Sequence, residues 1–271
     1  MNRRNLVGVA LCGALFIASF VLTGAWAAYF NLAAFLVVFS GLGAALLLSY
    51  PTERIAQAFR VARGAYTRRP AQPERIVRTL LDLSVRSRVD GVLSLDKMSE
   101  QATSSFLRNG IQFLVDNYSE AEIREFLDGE MAFFQLRRRQ SERVFQTLAR
   151  MAPAFGVAGS VIGLIGLLMG ISDTAIILKS IPVAFISTLY GVILGNMVFA
   201  PVAENIHFTT GLELINQKLM AEAVIAIRKE QNPYKLERRL ASFLTPKDRE
   251  GQTEALRGIT RKYLKQKRDR K

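Results

Sequence analysis

Three hydroxyl side chains lie on two apolar, glycine-rich segments. Their type and position suggest contact with an ion or with water molecules inside an otherwise apolar environment. Ser160 lies in "APAFGVAGSVIGLIGLLMG", residues 152–170, and Ser187 and Thr188 lie in "ISTLYGVILGNMVFAPVAENI". Hydroxyls can line a path for an ion or for water without presenting a charge. A Ser or Thr in an apolar helix more often bonds to its own backbone, so the sequence leaves both roles open.

The glycines of these segments recur at steps of three and four, which places them on one face of a helix. Small residues let helix backbones approach closely inside a membrane. The spacing predicts that the two segments pack tightly, and it leaves open a second role in which the smooth face slides against a moving partner. The face comprises Gly156, Gly159, Gly163, Gly166 and Gly170 on the first segment and Ala184, Ser187, Thr188, Gly191 and Gly195 on the second.

Charged side chains are sorted along the chain in a way that indicates a membrane protein. Residues 5–49 carry none, and residues 151–203 carry only Asp173 and Lys179. Burying a charge at the centre of a bilayer costs several kcal/mol, and a helix needs about 20 residues to cross. We therefore predict an all-α integral membrane protein with four transmembrane helices in two hairpins. The spans are about 6–26, 29–49, 152–171 and 176–201, with Asp173 and Lys179 in the last connection.

The positive charges predict the orientation of the chain. Of 36 Lys and Arg residues, only Lys179 falls in a hairpin connection, and positive charges stay on the cytoplasmic side. Both termini and the segment between the hairpins are therefore expected in the cytoplasm. This topology and anionic lipid headgroups account for the net charge of +13 without a nucleic acid.

The remaining segments have the apolar spacing of cytoplasmic helices. Ile55, Phe59 and Ala62 form one stripe, Ile76, Leu80 and Leu83 form another, and Gly91 and Gly110 are expected to interrupt the helices. A capping box at residues 119–122 predicts one long helix that runs into the third span. A turn at 232–233 precedes a short amphipathic helix and a basic tail. The predicted division is 1–50 (first hairpin), 51–150 (helical insert), 151–203 (second hairpin) and 204–271 (C-terminal helices and tail).

The predicted spans contain no Asp, Glu or His, although ion-coupled machines normally place an ionisable residue within the membrane. A second polypeptide would have to supply that group. The single histidine, His207, is expected to be solvated and not catalytic, and the chain has no nucleotide-binding loop. We expect no catalytic residues, no bound metal and no cofactor apart from a transported ion.

Several motifs in order resemble the MotA/PomA family of flagellar stator subunits. "APAFGVAGSVIGL" is similar to the family's third membrane helix, and "ISTLYGVILGNMVFAPVAENI" to its fourth. "FNLAAFLVVFSGLGAALLLSYPTERIAQAF" resembles the second helix and its cytoplasmic exit. "SRVDGVLSLD" and "NPYKLERRLASFL" resemble cytoplasmic segments. The resemblance covers nearly the whole chain.

The resemblance assigns expected roles to individual residues. Pro153 and Pro201 match prolines that couple ion flow to conformational change. Ser160 and Thr188 match positions that line the ion path. Arg88 and Asp96 match a charged pair that faces the rotor, and here Asp96 is shorter than the family's usual Glu.

The resemblance also implies the assembly. Five copies of the chain would surround a dimer of a MotB/PomB-like partner, which supplies a membrane aspartate and anchors to peptidoglycan, and the ring would act on the flagellar switch protein FliG. The transported ion is H⁺ or Na⁺: Ser160 favours sodium and Asn31 favours protons, so we expect protons because that coupling is commoner in the family. The alternatives are a TolQ/ExbB-type energiser and an independent ion channel or transporter.

Overall fold

The structure is a computed structural model that describes residues 3–22, 24, 29–67, 71–96, 104–170, 173–229 and 232–243. In this part of the chain the regular secondary structure is helical. The helices are α1 (Arg3–Leu22), α2 (Leu32–Ser49), α3 (Thr52–Thr67), α4 (Pro73–Asp90), α5 (Ser105–Val115), α6 (Glu120–Met169), α7 (Thr174–Ile193), α8 (Ala200–Arg228) and α9 (Pro233–Ala241). A 3₁₀ turn (Val92–Leu95) follows α4, and a π-helical turn (Leu194–Phe199) joins α7 to α8.

Within the described residues, three helical stretches are long and apolar enough to cross a membrane. They are Leu32–Ser49, Glu120–Met169 and Thr174–Arg228, with mean hydropathies of 2.3, 1.9 and 1.9 over their most apolar windows. The apolar part of α1, Val7–Leu22, is shorter. Most of its large apolar side chains are exposed, as they would be in a helix that faces lipid. The chain is thus an all-helical protein with several candidate membrane helices.

The chain forms two compact units, and each unit combines segments that are distant in sequence. The first comprises 1–69 and 138–208, and the second comprises 70–137 and 209–271. In the first unit, Val38, Ala58, Val144 and Ile206 are among the buried core residues. These come from α2, α3, α6 and α8, so the apolar helices and α3 share one core.

The predicted stripe on α3 is only partly buried. Ala62 is buried and Ile55 is half-buried, whereas Phe59 is half exposed. The Phe59 ring packs edge-on against the Phe145 ring, with centroids 5.2 Å apart. The helix therefore buries Ala58 and Ala62, and one edge of Phe59 stays open.

The second unit has its own apolar core, built from α4, α5, the start of α6, the end of α8, and α9. Ile76, Leu80 and Leu83 are buried there, which confirms the predicted stripe on α4. Gly91 ends α4 with φ 83°, a conformation that favours glycine. The expectation that Gly110 interrupts a helix is wrong, because this residue lies inside α5. A Cβ there would come within 2.9 Å of Val224 Cγ2, so close helix packing requires the glycine.

The capping box at the start of α6 is confirmed. The Ser119 N–H donates to Glu122 Oε2 over 2.8 Å, and the Glu122 N–H donates to Ser119 Oγ over 3.3 Å. Hydrogen bonding to Ser119, by its hydroxyl and by its backbone N–H, lowers the pKa of Glu122. The helix then continues through Pro153 to Met169 without a break, as predicted.

The connection between α6 and α7 ends earlier in the sequence than predicted. Asp173 caps α7 by accepting from the Ala175 N–H over 2.8 Å, and the helix starts at Thr174. Lys179 therefore lies inside α7 and not in the connection, because the aspartate cap starts the helix ahead of this lysine. The predicted basic tail lies outside the described residues. The turn at Asn232–Pro233 does start a helix, α9.

Candidate functional site

The small-residue faces of α6 and α7 pack directly on each other. A Cβ at Gly163 would lie 2.5 Å from the Ala184 backbone nitrogen, and one at Gly191 would overlap the Ala152 carbonyl oxygen. Backbone atoms cannot move aside, so these positions need glycine. Gly156, Gly159 and Gly170 are similarly close to α7, since a Cβ at any of them would overlap atoms of that helix.

This packing corrects one of the two roles suggested for the glycine face. Gly156, Gly159, Gly163 and Gly170 are buried against this chain's own α7. They are therefore not a free smooth surface for a sliding partner. Gly166 is less tightly packed, since a Cβ there would be 3.2 Å from Ser180 Oγ. The physical reason is that α7 has a complementary small-residue face, and each helix covers the other.

Ser160 and Thr188 meet across the helix pair. Their hydroxyls are hydrogen-bonded to each other, and Ser160 Oγ also donates to the Ala184 carbonyl oxygen. The Gly156 carbonyl oxygen lies 3.3 Å from Ser160 Oγ and 3.4 Å from Thr188 Oγ1. Both side chains are only partly buried. Ser160 and Thr188 thus place two hydroxyls and two carbonyl oxygens together at the edge of the apolar interface between α6 and α7.

Ser187, the third hydroxyl candidate, is placed differently. It is fully buried, and its hydroxyl donates to the Val183 carbonyl oxygen of its own helix over 2.6 Å. It also fills the space above Gly159, where a Cβ would lie 2.5 Å from Ser187 Oγ. Its geometry is that of a packing residue with a satisfied hydroxyl.

Pro153 lies opposite the π-helical turn, a feature that sequence reasoning missed. Proline has no N–H, so the Ala149 carbonyl oxygen loses its usual helical donor. A Cβ at Gly195 would be 2.8 Å from that oxygen and 3.0 Å from Pro153 Cδ. The turn therefore needs glycine where it approaches the site of the missing bond.

Pro201 follows the π-helical turn as the second residue of α8. The wide turn closes with a bond from the Ala200 N–H to the Gly195 carbonyl oxygen. A proline ring clashes with the carbonyl of the residue four positions earlier, and a wider turn relieves such crowding. The helix thus continues through Pro201, and the Pro201 carbonyl accepts from the Tyr66 hydroxyl over 3.4 Å.

Tyr190 connects α7 to the start of α2, and sequence reasoning did not select it. Its hydroxyl donates to the Tyr29 carbonyl oxygen over 2.5 Å and accepts from the Asn31 N–H over 3.2 Å. Asn31 itself caps α2 by accepting from the Ala34 N–H over 2.9 Å. Asn31, which the family resemblance associates with the choice of ion, therefore contacts the helix that carries Thr188. A tyrosine in an apolar helix was the available signal, since a buried phenol needs a partner.

Arg88 and Asp96 are both exposed, on either side of the 3₁₀ turn in the second unit. Within the described residues they form no ion pair with each other. A local salt bridge therefore does not account for the pair, and both charges are available to another molecule.

Other ionisable groups do not form a catalytic centre in the described part of the chain. His207 Nδ1 lies 3.3 Å from Glu142 Oε2, and its side chain is 68% exposed. No group of three or more potential metal ligands occurs among the described residues.

A family model matches the centre of the chain. The MotA/TolQ/ExbB proton channel family matches residues 98–210, which include α5, α6, α7 and the start of α8. Members of this family are ion-channel subunits and not enzymes.

Curated relatives match over longer stretches. The uncharacterized protein YtxD of Bacillus subtilis is 33% identical over 79% of each chain. Motility protein A of Borreliella burgdorferi is 38% identical over 64% of this chain and 67% of its own. The chemotaxis protein PomA of Vibrio alginolyticus is 29% identical over 90% of this chain and 96% of its own.

The fold matches a solved structure over nearly the whole chain. A chain of the flagellar MotAB stator complex from Bacillus subtilis superimposes with a TM-score of 0.83 at 27% identity, covering 92% of this chain and 98% of that one. The relatives, the family model and the fold agree. This chain belongs to the MotA/PomA family of flagellar stator subunits, within the MotA/TolQ/ExbB proton channels.

Proposed function

We propose that this chain is the ion-channel subunit of a flagellar stator and couples inward proton flow to rotation of the flagellar rotor. Its partner is a MotB-like subunit, as in the stator complexes to which its fold is similar. Sodium is the alternative ion. The chain is a multi-pass protein of the bacterial inner membrane, with both termini in the cytoplasm and four spans in two hairpins.

The observation that carries the proposal is the Ser160–Thr188 pair, which lies in two packed apolar segments that lack a carboxylate. The pair presents polar oxygens without charge, and residues 152–170 and 174–203 contain no Asp, Glu or His. An ion in hydrocarbon needs a compensating group. The titrating carboxylate would therefore come from the MotB-like partner, and Ser160 and Thr188 would face it.

The prolines next to this pair support a conformational step. Pro153 and Pro201 interrupt the backbone hydrogen bonding of α6 and α8, and the π-helical turn lies between α7 and Pro201. Helices bend most readily at such places. Neutralising the partner's carboxylate would change the field beside the hydroxyl pair, and α6 and α7 would adjust around these prolines.

The complete machine would contain five copies of this chain around a partner dimer. The exposed Arg88 and Asp96 would act on FliG, and the arginines near the membrane would contact anionic lipid headgroups. Each predicted segment has its own proposed role. Segment 51–150 faces the rotor and 151–203 lines the ion path, while 1–50 and 204–271 complete the membrane and cytoplasmic parts.

Ion flux in liposomes tests this proposal. The purified chain without its partner should show no proton or sodium flux above that of empty liposomes. Flux should occur when the MotB-like partner is bound and any segment of the partner that blocks the path is removed. It should disappear when the partner's membrane aspartate is replaced by asparagine.

Saturable flux through this chain alone would contradict the proposal and favour an independent channel. A different outcome is that the complex conducts ions although the flagella of cells that carry both proteins do not rotate. That result would instead favour an energiser of the TolQ/ExbB type.

A further inference from the structure

An apolar cavity of about 240 Å³ opens on the second unit, beside the 3₁₀ turn that separates Arg88 from Asp96. Val92 and Leu93 of this turn form one side. The other sides come from the end of α5 and the end of α8. The lining residues are Val92, Leu93, Leu114, Val115, Asn117, Ile227 and Arg228.

Leu93 is the most conspicuous of these residues, because its side chain is 74% exposed although it borders an apolar cavity. By contrast, Leu95 in the same turn is fully buried. The turn therefore needs one leucine for its own packing and presents a second one at the cavity rim.

Arg228 is the single charged residue of the lining. Its Nε donates to the Tyr118 carbonyl oxygen over 2.7 Å, which fixes the plane of the guanidinium. Within the described residues, the remaining N–H groups of this guanidinium have no protein acceptor. An occupant with a carboxylate next to an apolar group would thus match both the charge and the apolar walls.

The size of the cavity favours a side chain over a free small molecule. Pockets for small ligands usually measure about 300–1,000 Å³ and enclose most of the ligand, whereas this cavity is smaller and open. It has room for one large apolar side chain, which is how an amphipathic helix anchors in a partner's groove.

We propose that this cavity receives an apolar anchor residue from an amphipathic helix of the rotor protein, with a neighbouring carboxylate of that helix bound by Arg228. The proposal rests on the proposed function and deepens it. Charge pairs such as those of Arg88 and Asp96 steer and orient a partner, while a buried apolar anchor supplies most of the affinity. The rotor contact would then have an apolar centre next to its charged residues.

The test measures binding of the purified rotor protein to the complete complex of this chain with its MotB-like partner. Leu93→Gln removes the apolar rim without adding charge and should weaken binding by about tenfold or more. Arg228→Gln should also weaken it, by a factor that falls as salt concentration rises. Leu93→Met retains an apolar side chain of similar volume and should bind like the unmodified chain.

Leu136→Gln is the matched control, because Leu136 is a half-exposed leucine of the same unit outside the cavity. It should leave rotor binding unchanged. All variants should assemble with the partner, and the three leucine variants should melt at the same temperature as the unmodified complex, which shows that any binding lost by Leu93→Gln is local.

Unchanged rotor binding by Leu93→Gln would overturn the inference and leave the proposed function standing. Loss of ring assembly in Leu93→Gln, with rotor binding retained per chain, would assign the cavity to a second copy of this chain and would also overturn it. Failure of the unmodified complex to bind the rotor protein would count against the proposed function itself.

Discussion

At the scale of single residues, hydroxyls that look alike in the sequence have different surroundings. Ser160 and Thr188 bond to each other across two helices, whereas Ser187 bonds within its own helix and is fully buried. The sequence grouped all three, because each lies on the small-residue face. Which hydroxyls meet depends on where α6 and α7 cross. The spacing of residues along the sequence does not determine that crossing point.

Thr188→Val retains the volume of the side chain and removes one hydroxyl of the pair. If the pair lines the ion path, rotation speed should fall and its dependence on pH or sodium should shift. Protein stability should change by only about 1 kcal/mol, since Ser160 keeps the Ala184 carbonyl as an acceptor. Ser187→Ala is the control and should leave ion dependence unaltered. Unchanged speed and ion dependence in Thr188→Val would mean that this residue only packs.

Reversing the charges of Arg88 and Asp96 tests their contact with the rotor. The variant with both Arg88→Asp and Asp96→Arg should reduce swimming speed to less than about half, because like charges would then face each other across the contact. Both side chains are exposed, so assembly with the MotB-like partner should be unaffected. Normal swimming would show that these charges do not act on the rotor.

At the scale of helices, local signals predicted most of the observed elements. The capping box, the apolar stripe of α4 and the turn before α9 depend on neighbouring residues along the chain, and each was predicted from them. The π-helical turn, the Tyr190 bonds and the role of Gly110 were missed. They depend on contacts with residues far away in sequence, such as Val224 against Gly110, which no local pattern encodes.

Gly163→Ala should disrupt the α6–α7 pair. The new methyl group would lie 2.5 Å from the Ala184 backbone nitrogen, so the helices must separate, at a cost of about 1–3 kcal/mol or more. We expect a lower melting temperature in detergent and a loss of rotation. Gly43→Ala on α2 is the matched control, because a Cβ there meets nothing within 4 Å. Equal melting temperatures for the two variants would refute the close packing.

At the scale of the whole molecule, hydropathy and charge alone are enough to predict an all-helical membrane protein. Hydropathy does not determine the compact units, because α6 contributes to both of them. The sequence predicted α6 as one continuous helix. The core residues of the two units show that the start of α6 belongs to the second core and its later part to the first.

The proposed orientation can be tested with cysteine labelling, because Cys12 is the single cysteine of the chain. In a Cys12→Ala background, Thr174→Cys should react with a membrane-impermeant thiol reagent added to intact cells. Asp116→Cys should react only after the cells are opened. Both positions are exposed on the protein, so a difference in reactivity reports the side of the membrane. The reverse pattern would invert the topology.

The π-helical turn also has a consequence for insertions and deletions. A π turn contains one residue more than the α-helical turn it replaces, so removing Asn196, which is exposed, can restore ordinary helix without rotating α8. Ala203 and Ile206 would still point into their core. Removing Phe185 from the regular part of α7 would instead turn the residues after it by about 100° and bury the wrong face. We expect the first deletion to yield a folded but less stable protein, because Pro201 would then lie in an ordinary α-helix, and the second to abolish folding. This turn would then be a place in the helix where evolution can change its length and retain the fold.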